Sequence, residues 1–304
     1  MGLDLNNDEG FQEPELIADY SCGIGENPLW HSIEKRLYWC DIAAGRIFRC
    51  DPATGLHEMC YEGRTVGGFT IQADGSLLLF MDRGTVSIWN EGKLVEVVSE
   101  IPSERSARFN DVIADPRGRV FCGTVSLDDS RGRLYRLDCD GSLHLLLEDV
   151  ACSNGMAFTR DQKGFYYTES LARRIYFFDY DIRDGSLSNQ RTFAAFSEAD
   201  GLPDGATLDA HGNLWTALWG GSSIARLSND GKIEKRVFLP TPKVSSLTFG
   251  GDNYSHLYIT TAGGNDKKNA GLQAGGLFRL KTKIRGLPEY FSHVTTNSVF
   301  SPGR

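Results

Sequence analysis

The sequence predicts an all-β fold, a six-bladed β-propeller, and three observations lead to it. A short strand-like run that opens just after a turn recurs as Arg36-Leu37-Tyr38-Trp39, Ser76-Leu77-Leu78-Leu79, Arg119-Val120-Phe121-Cys122, Gly164-Phe165-Tyr166-Tyr167, Asn213-Leu214-Trp215-Thr216 and His256-Leu257-Tyr258-Ile259. Its second position falls at 37, 77, 120, 165, 214 and 257, and the intervals of 40, 43, 45, 49 and 43 residues bracket one four-stranded blade. A second run follows each first one: Arg46-Ile47-Phe48-Arg49, Thr85-Val86-Ser87-Ile88, Arg133-Leu134-Tyr135-Arg136, Arg174-Ile175-Tyr176-Phe177, Ser223-Ile224-Ala225-Arg226 and Gly276-Leu277-Phe278-Arg279. No segment carries the sustained apolar spacing and caps of a long helix. Two β-sandwiches, the competing architecture, would not space strands evenly across the midpoint.

Turn chemistry agrees with the strands. Ala73-Asp74-Gly75, Asp115-Pro116-Arg117-Gly118, Asp140-Gly141 and Asp230-Gly231 supply the positive φ that tight hairpin turns require. Closing the ring requires the last blade to be completed by the opposite terminus, since an open edge strand invites aggregation. The strand-like run Pro14 to Tyr20 precedes the first repeat and can serve. Residues 1–12, acidic and Asn-rich, read as a flexible tail, and residues 13–304 as a single propeller domain.

Composition narrows the function classes. Apolar residues at 40% and charged residues at 24% are those of a globular chain, while Gly, at 34 of 304, is enriched as a turn-rich fold demands. No window approaches the roughly 18 apolar residues of a membrane helix, and Met1 to Gly10 has acids and no base, unlike a secretory signal. A net charge of −8 with no basic run longer than Lys267-Lys268 argues against nucleic acid. Seven cysteines, an odd number with no C-x-x-C pair, fit a reducing, cytoplasmic compartment and small apolar core roles. Nothing in the chain calls for an obligate protein partner.

In a propeller the innermost strand of each blade lines the axis, so equivalent repeat positions form rings. The inner strands are the runs around Pro28-Leu29-Trp30, Gly68-Phe69-Thr70, Asp111-Val112-Ile113, Gly155-Met156-Ala157, Gly205-Ala206-Thr207 and Ser246-Leu247-Thr248. Their first positions read Glu26, Gly68, Asn110, Asn154, Asp204 and Ser246 or Leu247. Asn and Asp are depleted in strands, so four carboxylates or carboxamides in register point to a polar cluster in the channel mouth, although turn-forming at strand starts is the plainer account for any one of them. Oxygen ligands without Cys or His suit Ca²⁺, Mg²⁺ or Mn²⁺, and Zn²⁺ and Fe²⁺ accept oxygen too. One divalent ion would offset the repulsion between Glu26 and Asp204. Arg108, two residues before Asn110, is the strong cation beside this ring, either for a ligand oxygen or as a surface partner of Asp111 or Glu104.

At these residues the chain resembles the senescence marker protein, gluconolactonase and regucalcin family of six-bladed propellers. The matching segments are Gly25-Glu26-Asn27-Pro28-Leu29-Trp30, Leu37-Tyr38-Trp39-Cys40-Asp41-Ile42, Arg108-Phe109-Asn110-Asp111, Ser153-Asn154-Gly155-Met156-Ala157, Pro203-Asp204-Gly205 and Leu257-Tyr258-Ile259-Thr260-Thr261-Ala262, within residues 15 to 291. The resemblance implies that Glu26, Asn154 and Asp204 hold one divalent cation, with Asp204 also the base, and that Arg108 and Asn110 hold the substrate. It further implies a sugar contact from Asp128, on the loop after Gly123-Thr124. The implied activity is that of a hydrolase of carbohydrate metabolism, a gluconolactonase-like lactonase opening a sugar lactone, with the cation polarising the carbonyl and water attacking it. Consistently, the chain lacks a G-x-S-x-G elbow and an H-E-x-x-H helix, and no histidine matches a ring position. Two rival readings keep the fold: a non-catalytic propeller that binds a divalent ion or a protein, and a metal-dependent aryl or phosphate esterase.

Overall fold

The computed structural model describes residues 13–128 and 131–295. Its strands form six four-stranded antiparallel sheets. In the first blade, Gly25–His31, Arg36–Asp41, Arg46–Cys50 and His57–Glu62 run from the axis outward. Val66–Ile71, Ala107–Ala114, Ser153–Phe158, Leu202–Leu208 and Val244–Gly250 are the inner strands of the next five, and each inner strand touches its two neighbours in a closed circle. Both expected strand series become the second and third strands of the blades. The sixth blade takes its outermost strand from the N-terminal side, Glu15–Asp19 pairing with Gly276–Lys281. The tail expected at residues 1–12 lies outside the described residues.

Each strand's composition follows its radius. Second strands are covered on both faces by neighbouring blades, so Leu77–Met81 is apolar and buried throughout, whereas the outer strand Lys93–Val98 is mostly exposed. The apolar core is accordingly divided among the gaps between blades. Tyr38, Ile47, Phe69 and Leu79 fill the gap between blades one and two, and Trp39, Phe48, Tyr258 and Leu277 the gap between six and one. The expected turn glycines adopt the left-handed conformation, with φ of 88° at Gly75, 84° at Gly118, 84° at Gly141 and 77° at Gly231.

All six inner strands carry a bulge near the same end of the channel. A bulge breaks the alternation of side chains, so consecutive residues such as Glu26-Asn27 and Asn110-Asp111 both turn toward the axis. Neighbouring inner strands cross closely here. A Cβ on Gly67 would stand 1.8 Å from the Phe109 carbonyl oxygen, and one on Gly205 2.0 Å from Ser246 Oγ. Only glycine permits that approach.

The opposite end of the channel is crossed by the C-terminal segment. The amide of Gly286 donates to the Tyr254 carbonyl, Ala210 to Arg285, Ser292 to Ile71 and His293 to Gly118, at 2.8, 2.7, 2.8 and 2.9 Å. Gln162 Nε2 donates to Tyr290 Oη at 3.1 Å, so this strap ties down blades two to six.

Candidate functional site

The open end of the channel holds a cavity of about 230 Å³ lined by Glu26, Arg108, Asn110, Asn154 and Asp204, together with Ile24, Cys152, Ser170, Leu171, Leu202 and Trp219. Five of the six residues expected to form the site therefore meet. Asp128 does not line it. That residue sits on an exposed loop, where its Oδ1 accepts a hydrogen bond from Ser126 Oγ at 2.7 Å.

A hydrogen-bond chain fixes the polar wall. Arg108 Nη1 donates to Asn110 Oδ1 at 2.6 Å, Asn110 Nδ2 donates to Asn154 Oδ1 at 2.7 Å, and Asn154 Nδ2 donates to Ser170 Oγ at 2.7 Å, which in turn donates to the Pro203 carbonyl at 2.6 Å. Each carboxamide is thereby locked end for end. Asn154 presents its oxygen, with one lone pair left over, on the side of Asn110. Arg108 makes no ion pair among the described residues, and Glu104 is already engaged by Arg133 and Tyr135 at 2.8 and 2.7 Å. Glu104 is thus not its partner, and Asp111 feels the Arg108 charge without a direct ion pair.

Seven carboxylates are buried among the described residues: Glu26, Asp41, Glu104, Asp111, Asp115, Asp204 and Asp209. Asp41 accepts from Arg46 and two backbone amides, Glu104 from Arg133 and Tyr135, Asp115 from Arg119 and Tyr180, and Asp209 from Trp215 and two amides. The remaining three all face the channel. Glu26 has the Asn27 amide at 3.0 Å, Asp204 the Gly205 amide, and Asp111 no hydrogen-bond partner among the described residues. None of the three has an ion pair, a costly arrangement for buried charge. Burial, then repulsion from Asp111 on Glu26 and from Glu26 and Asp111 on Asp204, accordingly hold the two carboxyls well above their ordinary range, with Arg108 opposing the shift. Burial pushes Asp111 up to about 7.

Two buried carboxylates without ion pairs and an oriented amide oxygen form a donor set that a hard cation fits, although no group of three or more His, Cys, Asp or Glu side chains converges among the described residues. The linkage has a definite sign. In the absence of a cation the folded state binds more protons than the unfolded chain, so stability declines as pH rises from the ordinary carboxylate range through the raised folded values. In chelator, Tm should fall between about pH 5 and about pH 8, and a divalent cation, by replacing the protons on Glu26 and Asp204, should reduce that slope. A Tm that climbs over this range in chelator would contradict the assignment.

The SMP-30/gluconolactonase/LRE-like region matches residues 24–263, a stretch that holds all the polar residues of the mouth. The chain belongs to this family. Among its relatives, a pentonolactonase of Haloferax volcanii, XacC, is 46% identical over 91% of this chain and 97% of its own length. Regucalcin of Danio rerio is 34% identical over 91% and 97%. A solved structure of a calcium-binding regucalcin from Agrobacterium tumefaciens superposes with a TM-score of 0.86 over 92% of this chain and 97% of that one, at 21% identity, a likeness of fold.

Several lining residues of this family member escape the repeat count. Ser170, Leu171 and Trp219 stand just after or at the end of second strands, Gly164–Glu169 and Leu214–Trp219. The same phase that locates the inner strands would reach them, had it been read at both strand ends. Cys152, which composition assigns to the core, lines the cavity with its thiol pushed up to about 12 by burial. Among the described residues no helix is long and apolar enough to cross a membrane.

Proposed function

We propose that this protein hydrolyses sugar-acid lactones at the channel mouth, with one divalent cation held by Glu26, Asn154 and Asp204. The observation that carries the reading is the meeting, in one cavity, of two buried carboxylates without ion pairs, an amide chain that fixes the orientation of the Asn154 oxygen, and Arg108. The pentonolactonase relative supports a lactone as the substrate class, and a pentonolactone as the first to try. When bound, the cation supplies Lewis-acid polarisation of the ester carbonyl and offsets the negative charge that develops there.

The chain's own residues account for the rest. Arg108 donates to substrate hydroxyls or the ring oxygen and orients the lactone, while Asn110, whose two amide hydrogens are taken by the Ser153 and Asn154 oxygens, offers its Oδ1 as an acceptor for a substrate hydroxyl. Asp204 removes a proton from the water whose oxygen bonds to the carbonyl carbon. As the ring C–O bond breaks, the leaving alkoxide takes up a proton, and the product is the open-chain hydroxy acid. Leu171, Leu202 and Trp219 exclude bulk water from one side of the cavity.

Assays against pentono- and hexonolactones, with and without chelator, test both parts. Hydrolysis above the spontaneous rate should vanish with chelator and return with a divalent ion. Full activity in metal-free protein would remove the cation from the reading, and no activity on any sugar lactone with metal present would remove the substrate class. Asn154→Ala should weaken cation binding by at least about tenfold while changing the Tm measured in chelator little, because the amide bridges neighbouring polar groups without filling the apolar core.

A further inference from the structure

Glu26, Asn154 and Asp204 stand on three different blades, each at the mouth end of an inner strand whose ladder is broken by a bulge at or next to that residue. A bulge leaves the local backbone less firmly held by its own sheet. In each case the carbonyl just before the residue accepts a hydrogen bond from a side chain of the adjoining blade. Ser245 Oγ of blade six donates to the Gly25 carbonyl at 2.5 Å, Asn110 Nδ2 of blade three to Ser153 at 2.8 Å, and Ser170 Oγ of blade four to Pro203 at 2.6 Å. We infer that these bonds form a collar between blades, in which Ser170 and Ser245 are positioning residues that set the spacing and orientation of the three cation ligands, an assignment that rests on the cation site proposed above.

Ser170 has the stronger hold, because its hydroxyl touches the segments of two ligands at once. A carbonyl oxygen only accepts, so the single hydroxyl hydrogen is spent on Pro203, and toward Asn154 the Ser170 oxygen can only accept. Asn154 must therefore turn Nδ2 to Ser170, at 2.7 Å, and Oδ1 away from it. At the other end of the chain Arg108 can only donate. It draws Asn110 Oδ1 to itself at 2.6 Å and leaves Asn110 Nδ2 for Asn154 Oδ1 at 2.7 Å. A donor-only guanidinium and an acceptor-only carbonyl thus impose one polarity from opposite ends, and Ser170 is the joint through which the carbonyl acts on Asn154. The other contact of Asn154 Nδ2 is Cys152 Sγ at 3.7 Å, a weak acceptor.

The backbone of Ser170 is fixed without its side chain. Its amide donates to the Cys152 carbonyl at 3.1 Å, and its carbonyl accepts the Arg173 amide at 2.9 Å. Loss of the hydroxyl would therefore release Asn154 Nδ2 and the Pro203 carbonyl and leave the turn in place. Ser245, fully buried, acts on the third ligand: its bond to Gly25 fixes the peptide that enters Glu26. Neither serine contributes an apolar surface to the core between blades, so the expected effect of removing either hydroxyl falls on the ligands. The substrate side is spared. Arg108 keeps the Phe109 carbonyl at 3.0 Å, and Asn110 keeps Ser153.

Calorimetric titration of the chelator-stripped full chain with Ca²⁺ and, separately, Mn²⁺ tests the proposal, with Tm in chelator and lactone kinetics measured alongside. Ser170→Ala and Ser245→Ala should each weaken cation binding by roughly ten- to a hundredfold, the cost of losing a group that orients a ligand. KM for the lactone at saturating cation should stay within about twofold of wild type. A merely structural role would behave differently, lowering Tm in chelator and the amount of active protein while the cation dissociation constant stayed put. The path through Asn154 has its own check: in the Asn154→Ala background, Ser170→Ala should cost less cation affinity than in wild type. Equal costs in the two backgrounds would overturn that path, and serine variants that bind the cation as wild type does would overturn the collar. Should either serine variant fail to fold, the other decides. A wild type that binds neither ion would overturn the cation reading first, and this assignment with it.

Discussion

Asp204→Asn should lower kcat by roughly 10² to 10⁴ when measured at saturating cation, the range of lost acid-base catalysis. The substitution keeps the volume and one oxygen, and removes the base and a negative charge. The backbone around it is held independently: Pro203 accepts the Ser170 hydroxyl at 2.6 Å, and Gly205 is wedged against Ser246 with no room for a Cβ. A large fall would therefore report chemistry, provided Tm in the presence of cation stays near wild type. Cation affinity should fall as well, hence the need for saturation. The Cys152 thiol, pushed up to about 12, is protonated at neutral pH and cannot substitute. If the variant retains wild-type kcat at saturating cation, Asp204 is not the base, and its role reduces to that of a cation ligand.

What the sequence discloses and what it hides have a common physical basis. Blade number and strand order are legible because each second strand is covered on both faces and is therefore rich in apolar residues, most completely in Leu77–Met81, and because the hairpins use left-handed residues. The first ring at the mouth is legible for a complementary reason: Asn and Asp at strand starts are anomalous unless they face something polar. Asn27 and Asp111 are hidden. Strand alternation would point them away from the axis, and it is the bulges that bring them to it. The C-terminal strap is hidden more deeply, since no repeat period governs it, and its position follows only from hydrogen bonds to blades two to six. The difference between a carboxylate that is served and one that is not, as between Asp209 and Asp204, is likewise a matter of which donors the fold delivers.

Arg108→Ala should raise KM for the lactone by roughly ten- to a hundredfold, on the basis of about 1.5–3 kcal/mol for a hydrogen bond to a charged group. The structure adds an expectation of opposite sign for the cation. The guanidinium stands close enough to Glu26 and Asp204 to favour their charged forms, and its positive charge must therefore also repel a cation placed between them. Removing it should leave cation affinity unchanged or tighter while substrate affinity collapses. Asn110 keeps its place through its bond from Nδ2 to the Ser153 carbonyl at 2.8 Å, so the Asn154 oxygen remains aimed. A residue whose task was to support the cation site would behave differently, losing cation and substrate together. Arg108→Lys separates charge from shape: it restores the positive charge without the planar fork that reaches Asn110 Oδ1 and the Phe109 carbonyl together, so KM should recover only in part. Cation affinity that falls in Arg108→Ala in step with the loss of lactone binding would move Arg108 from the substrate to the support of the cation.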